Sequence, residues 1–143
     1  MINSGVYNHP IEVTKAHIDV NSHVNNVVYV QWMQDVAYSH SQAAGYDNQA
    51  LEELGSTWVI RSHFVRYHRP ALLGDELIAH TWLKNIKRAS ALRAYKFVRA
   101  SDKAVVASGE SDWVYIDRNT GRPKAIEDEM LEAFPVVADQ DAP

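Results

Sequence analysis

NNVVYVQWMQDVAYSHSQAAG, residues 25–45, decides the fold. Asn25 or Asn26 is of the residue type that caps a helix start, and Gly45 stands where a C-terminal cap glycine belongs. Between them Val27, Val28, Tyr29, Val30, Trp32, Met33, Val36 and Ala37 put apolar groups on more than one side of the helix. A helix apolar nearly all round is a buried helix. The stretch therefore predicts one long interior helix over 25–44, and the rest of the chain must supply what surrounds it.

Outward from that helix the chain reads mostly as strand. Residues 6–13 form a first strand interrupted by Pro10, hence an edge or a bent entry. Residues 48–54 suit a short second helix. The runs 58–69, 76–86, 89–100 and 104–117 are rich in Val, Ile, Trp, Tyr and Thr. Turn signals separate them: Pro70 and Gly74, Lys87-Arg88, Asp102-Lys103 and Asn119-Thr120-Gly121. A short helix is expected within 123–134, followed by an acidic, proline-flanked tail, 135–143, that should fray. Short links argue for antiparallel neighbours. The expected fold is α+β: about five antiparallel strands wrapped around one long helix.

Bulk properties narrow the function classes. At 143 residues the chain suits one domain, read as 1–134 plus the tail. A net charge of -4 argues against a nucleic-acid partner. There is no cysteine, which removes disulfides, thiolate metal sites and a cysteine nucleophile. It also fits a reducing, cytoplasmic setting. The N-terminal MINSGVYNHPIEV has no basic region followed by an apolar run, so no signal peptide is expected. No stretch approaches the ~20 apolar residues of a membrane span.

Polar chemistry concentrates just before the helix, in HIDVNSHVNN, residues 17–26. The first N–H groups of a helix lack intrahelical partners and sit at the positive end of its dipole. They suit an oxyanion forming on an attacked carbonyl. A carboxylate from the preceding loop can attack the carbonyl carbon or take a proton from water. A thioester needs little more, because its thiolate leaves easily. The same residue types also serve as plain helix caps. Asp19, Asn21 and His23 alternate, so an extended loop would present all three on one side.

The run Asp19 to Trp32, DVNSHVNNVVYVQW, resembles the active-site signature of hotdog-fold thioesterases. It is most similar to the D-x-N-x-H-V-N-N-x-x-Y-x-x-W form of plant acyl-ACP thioesterases and bacterial acyl-CoA thioesterases. Two weaker likenesses, at residues 69–75 and 117–123, extend it over most of the chain. The resemblance implies a hotdog fold, metal-free hydrolysis without a cofactor, and a dimer with active sites at the subunit interface. It gives Asp19 the role of nucleophile or general base, and Asn21 and His23 catalytic or positioning roles. Ser22 departs from the glycine of the 4-hydroxybenzoyl-CoA thioesterase type. Neither 56–69 nor 25–44 carries the glutamate that other branches use, which leaves Asp19 as the catalytic carboxylate.

The expected substrate is an acyl-CoA. Asn25, Asn26 and Tyr29 are read as substrate-binding, with Tyr29 near the acyl group. Lys87 and Arg88, at a hairpin tip with Lys84 and with Arg93 and Lys96 further along, and Arg61 on the second strand are candidates for the nucleotide phosphates; a solvated turn and surface ion pairing are their plain alternatives. Arg61 and Arg69 are expected on one strand face and Arg66 on the other. His17, Asp19 and His23 could approach one another, but no paired-histidine metal signature exists, and no metal is expected. A homodimer at least, and a tetramer beyond it, is the expected assembly. Acyl-ACP hydrolysis, hydration of enoyl thioesters and a non-hydrolytic acyl-thioester-binding protein are the competing readings.

Overall fold

In the computed structural model residues 4–143 are described; residues 1–3, the opening of the stretch read for a leader, lie outside them. The elements are β1 (Tyr7–Glu12), a 3-10 turn (Lys15–His17), α1 (Asn26–Ala43), α2 (Asn48–Glu53), β2 (Ser56–Tyr67), β3 (Glu76–Ile86), β4 (Ser90–Arg99), β5 (Val105–Asp117), α3 (Asp128–Ala133) and a last 3-10 turn (Asp139–Asp141). Among the described residues no helix is long and apolar enough to cross a membrane.

Five antiparallel strands form one sheet in the order β1-β3-β4-β5-β2. The hairpins β3–β4 and β4–β5 follow from their short turns, as the sequence suggests. The link from β2 to β3 does not make neighbours. It carries the chain from one end of the sheet order, past β5 and β4, to the strand beside β1. Crossing three strand spacings needs roughly 14 Å, and eight extended residues reach roughly 26 Å, so a short link suffices. His68 and Arg69 N–H groups fasten its start to Val106 O at 2.9 and 3.2 Å. Arg99 fastens its end by pairing with Asp75 at 3.4 Å.

Alternation in β3, β4 and β5 turns Leu77, Ala79, Tyr95, Phe97, Ala107 and Trp113 into a core shared with Tyr29, Trp32, Met33 and Val36 of α1. Gly109 marks the close approach of the helix. A Cβ there would lie 2.6 Å from the Phe64 carbonyl oxygen and 3.1 Å from Met33 Cε. The Asn25 side chain caps α1, accepting from Val27 N–H at 3.0 Å. Gly45 follows its end with φ of 94°, the left-handed geometry that suits glycine.

α1 is not buried all round. Val27 is 72% exposed and Tyr38 58%, because one sheet covers only one side of a helix. The tail is not frayed either. Val137 is buried and donates its N–H to Leu83 O at 2.9 Å, and Lys96 Nζ donates to the Pro143 carbonyl at 2.8 Å. Val137 and Ala142 cover Trp82 on the sheet face away from α1. That apolar cover is what holds the last residues down.

Candidate active site

Asp19 lies on a tight hairpin that runs directly into α1. Ile18 and Val24 form an antiparallel bridge, Asp19 N–H donates to His23 O at 2.9 Å, and Ser22 N–H donates to Asp19 O at 3.0 Å. Ser22 adopts a left-handed φ of 63° to close the turn. The loop is therefore not extended, as the alternation of Asp19, Asn21 and His23 suggests. Asp19 and His23 face one another across the hairpin, and Asn21 sits near its tip. Val24 N–H, bonded to Ala71 O at 2.9 Å, and Asn25 N–H, bonded to His17 O at 2.8 Å, anchor the hairpin to the body of the protein.

The Asp19 carboxylate already has one fixed partner: Oδ1 accepts the N–H of Asn21 at 2.9 Å. Asp19 is half-buried, whereas Asn21 and His23 are exposed. At the start of α1, Val27 N–H is taken by the Asn25 side chain and Val28 N–H by Asn25 O at 2.9 Å. Asn26 N–H has no hydrogen-bond acceptor among the described residues. It is a first-turn donor left open at the helix start. The Asn26 carbonyl accepts from the Tyr67 hydroxyl at 2.9 Å, which ties the helix start to β2. His17 accepts Thr14 N–H on Nδ1 at 3.0 Å and sets its ring edge-on to Trp32, so its ring nitrogen is engaged locally. Among the described residues no cluster of three metal-ligating side chains occurs.

Other candidates fall elsewhere. Tyr29 is 3% exposed and packs against Trp32, Tyr67 and Phe97. Burial pushes its phenol up to about 12, so it stays neutral. It is a core residue beneath the helix start and does not line the 550 Å³ cavity described below. Arg61 sits at a bulge between Ile60 and Ser62 and donates to Asp112 at 2.8 Å. The bulge breaks simple alternation, so parity does not assign faces to Arg61, Arg66 and Arg69; Arg69 lies beyond the strand. Lys87 and Arg88 are exposed at the β3–β4 tip. The Asp19 hairpin is fastened at Ala71, beside the opposite end of β3. Eleven strand residues separate those ends, roughly 36 Å. Lys84 is drawn from this basic group into a 2.9 Å pair with Glu110.

A cavity of about 550 Å³ opens between the second half of α1, α2 and the sheet, lined by Tyr38, Tyr46, Leu51, Trp58, Trp113 and Phe134 among others. Arg93 lines it too, only 6% exposed. Its Nη1 donates to Nδ1 of His40 at 2.8 Å and to Thr81 Oγ1 at 3.1 Å. Burial, and secondarily the neighbouring guanidinium, hold the His40 imidazole down at about 3, so it is neutral and able to accept. Sequence reasoning set Arg93 beside the exposed lysines and did not single out His40. The signal was present: Arg93 is in phase with Ala91, Tyr95 and Phe97, all inward-facing. His40 gave none beyond its place on α1.

Comparison with known proteins agrees with the fold. Residues 13–134 match the family model described as the thioesterase-like superfamily. The long-chain acyl-CoA thioesterase FadM of Escherichia coli (strain K12) is 27% identical over 126 residues, 85% of this chain and 92% of FadM. The crystal structure of YbaW, a probable thioesterase from Escherichia coli, superposes with a TM-score of 0.79 at 25% identity, covering 88% of this chain and 94% of that one. Slr0204 from Synechocystis, a 1,4-dihydroxy-2-naphthoyl-CoA thioesterase, shares the fold with a TM-score of 0.82 at 16% identity, covering 96% and 99%.

Proposed function

This chain belongs to the thioesterase-like superfamily, and from that premise we propose that it hydrolyses acyl-CoA thioesters to free acid and CoA. One observation carries the mechanism. The half-buried Asp19 is held by the hairpin that leads into α1, where the Asn26 N–H lacks an acceptor among the described residues. The thioester carbonyl oxygen takes the Asn26 N–H, at the positive end of the helix dipole. Asp19 either attacks the carbonyl carbon, giving an anhydride that water cleaves, or takes a proton as water attacks. In both routes the carbon–sulfur bond breaks and the CoA thiolate departs and is protonated; the acid carries one water oxygen when water attacks the acyl carbon, and an Asp19 oxygen when water instead opens the anhydride at the Asp19 carbonyl. Asn21 fixes the carboxylate through its N–H, and His23 holds the other side of the hairpin through its carbonyl.

A homodimer belongs to the same reading. Among the described residues β2 is an unpaired sheet edge of 12 residues with Val59 and Phe64 exposed, and α1 exposes Val27 and Tyr38. An open edge beside apolar surface favours pairing with a second copy. Lys87, Arg88 and Arg61 would then meet CoA phosphates only as contributions across an interface, given their distance from the Asp19 hairpin or their existing pair. A tetramer has less support, because residues 136–143 already cover part of the outer sheet face. The proposed cytoplasmic setting rests on the cysteine-free sequence.

The test is release of free thiol from a panel of short, long and aromatic acyl-CoAs, with matched acyl-ACP and enoyl-CoA arms. Thiol release from at least one acyl-CoA, reduced at least ~10²-fold in Asp19→Asn, is the expected result. Preference for the ACP arm would change the carrier. Loss of enoyl absorbance without thiol release would overturn hydrolysis.

A further inference from the structure

Arg93 is a buried cation without an anion. It is 6% exposed, and no carboxylate stands within ion-pair distance of it among the described residues. Its hydrogen bonds go to Nδ1 of His40 and to Thr81 Oγ1, both through Nη1. Nε and Nη2 have no partner among the described residues. The only sealed-off side-chain polar atom without a partner there is Trp82 Nε1. Neither of these two guanidinium nitrogens is sealed off in that way, and Arg93 lines the 550 Å³ cavity.

Desolvating a charge costs several kcal/mol unless an opposite charge or good hydrogen bonds offset it. Neutral His40 holds the guanidinium in place without cancelling its charge. The fork of Nε and Nη2 matches the two oxygens of a carboxylate. Around it the cavity is apolar and aromatic, with Leu51, Trp58, Trp113 and Phe134 in its wall. Its volume is that of a small-molecule site, roughly 300–1,000 Å³. Exposed Gln42, Asp47, Asn48 and Gln49 also line it and give it a polar mouth, where the Asp47 carboxylate is engaged in accepting the Ala50 N–H at 2.9 Å.

We propose that this cavity binds a carboxylate with an apolar body, which enters carboxylate first and pairs with Arg93. Two sources share that chemistry: the far end of an acyl-CoA whose acyl chain ends in a second carboxylate, or a free acid acting as a separate ligand. Only the first rests on the thioesterase reading.

Calorimetric titration of the full chain with dodecanoate, below its micelle concentration, and with dodecan-1-ol tests the pairing. Dodecanoate is expected to bind at least about tenfold more tightly, because only it supplies the anion. Equal affinity, or no binding of dodecanoate, overturns the proposal. Arg93→Met should lose the preference while keeping an equal or higher Tm, since an unpaired buried charge is removed. Should Arg93→Met not fold, Arg93→Lys, which keeps the charge and loses the fork, is expected to bind dodecanoate more weakly than wild type; unchanged binding would overturn the paired geometry. A second arm compares kcat/KM on dodecanoyl-CoA and its ω-carboxy counterpart. A preference for the latter that vanishes in Arg93→Met identifies the far end of the substrate. Equal values with dodecanoate binding intact identify a separate acid. If no thioester turns over while dodecanoate still binds, the thioesterase reading fails and the carboxylate site stands.

Discussion

Arg93 donates from Nη1 to Nδ1 of His40 at 2.8 Å, inside the protein. A histidine that accepts from a guanidinium must be neutral, and burial keeps it so down to about pH 3. In the unfolded chain His40 takes a proton near its ordinary value of 6.5. Its folded value is depressed, so its contribution is complete above about 6.5 and is lost progressively as pH falls toward 3. Each pH unit in that window removes at most about 1.4 kcal/mol. Denaturant midpoints measured between pH 7 and 4.5 should fall with acid. His63 and His80, also lowered by burial, act in the same direction. His40→Gln retains an acceptor for Arg93 and should flatten the slope; an unchanged slope would remove His40 from this role.

Asp19→Asn keeps the oxygen that accepts Asn21 N–H while removing the charge. Turnover should fall by at least ~10²-fold, the lower range for a general base, with Tm little changed. Near-wild-type kcat would exclude Asp19 from the chemistry.

Dialysis against a strong chelator should leave turnover intact, because carbonyl polarisation is assigned to the Asn26 N–H and the helix dipole. Activity lost on chelation and restored by zinc or magnesium would reassign that step to a cation.

Ser22 closes the Asp19 hairpin at φ 63°, where a β-branched side chain fits poorly. Ser22→Val should cost about 1–2 kcal/mol in stability and lower kcat by disturbing Asp19. Ser22→Gly should keep both. Equal behaviour of the two variants would mean the turn relaxes freely.

Light scattering at micromolar protein should give at least twice the 16.2 kDa chain mass. A fully active monomer would refute the dimer, whereas a dimer that associates no further would refute only the tetramer.

Much of this was legible beforehand. The helix over 26–43 and the strand over 76–86 follow from periodicity and caps, and the other strand limits differ by one or two residues. Sheet order was not legible, since local turn signals cannot say that β2 leaves for the far edge; that depends on which long-range pairings bury the most surface. The Asp19 hairpin was visible as a motif but not as a shape, because Ser22 gives no sign of a left-handed turn. Tyr29 read as a pocket residue because its place one turn into the helix fixes depth but not direction. The bulge at Ile60 likewise undid a parity argument that was sound for a regular strand.

Gly109 has an evolutionary consequence. With the Phe64 carbonyl 2.6 Å from where its Cβ would stand, selection has almost no alphabet to work with at that position. Alanine, the smallest step available, already requires β2 to shift and Met33 to give way. Any larger residue at 109 needs β2 and Met33 to adjust together, so the spacing between α1 and the sheet resists single substitutions.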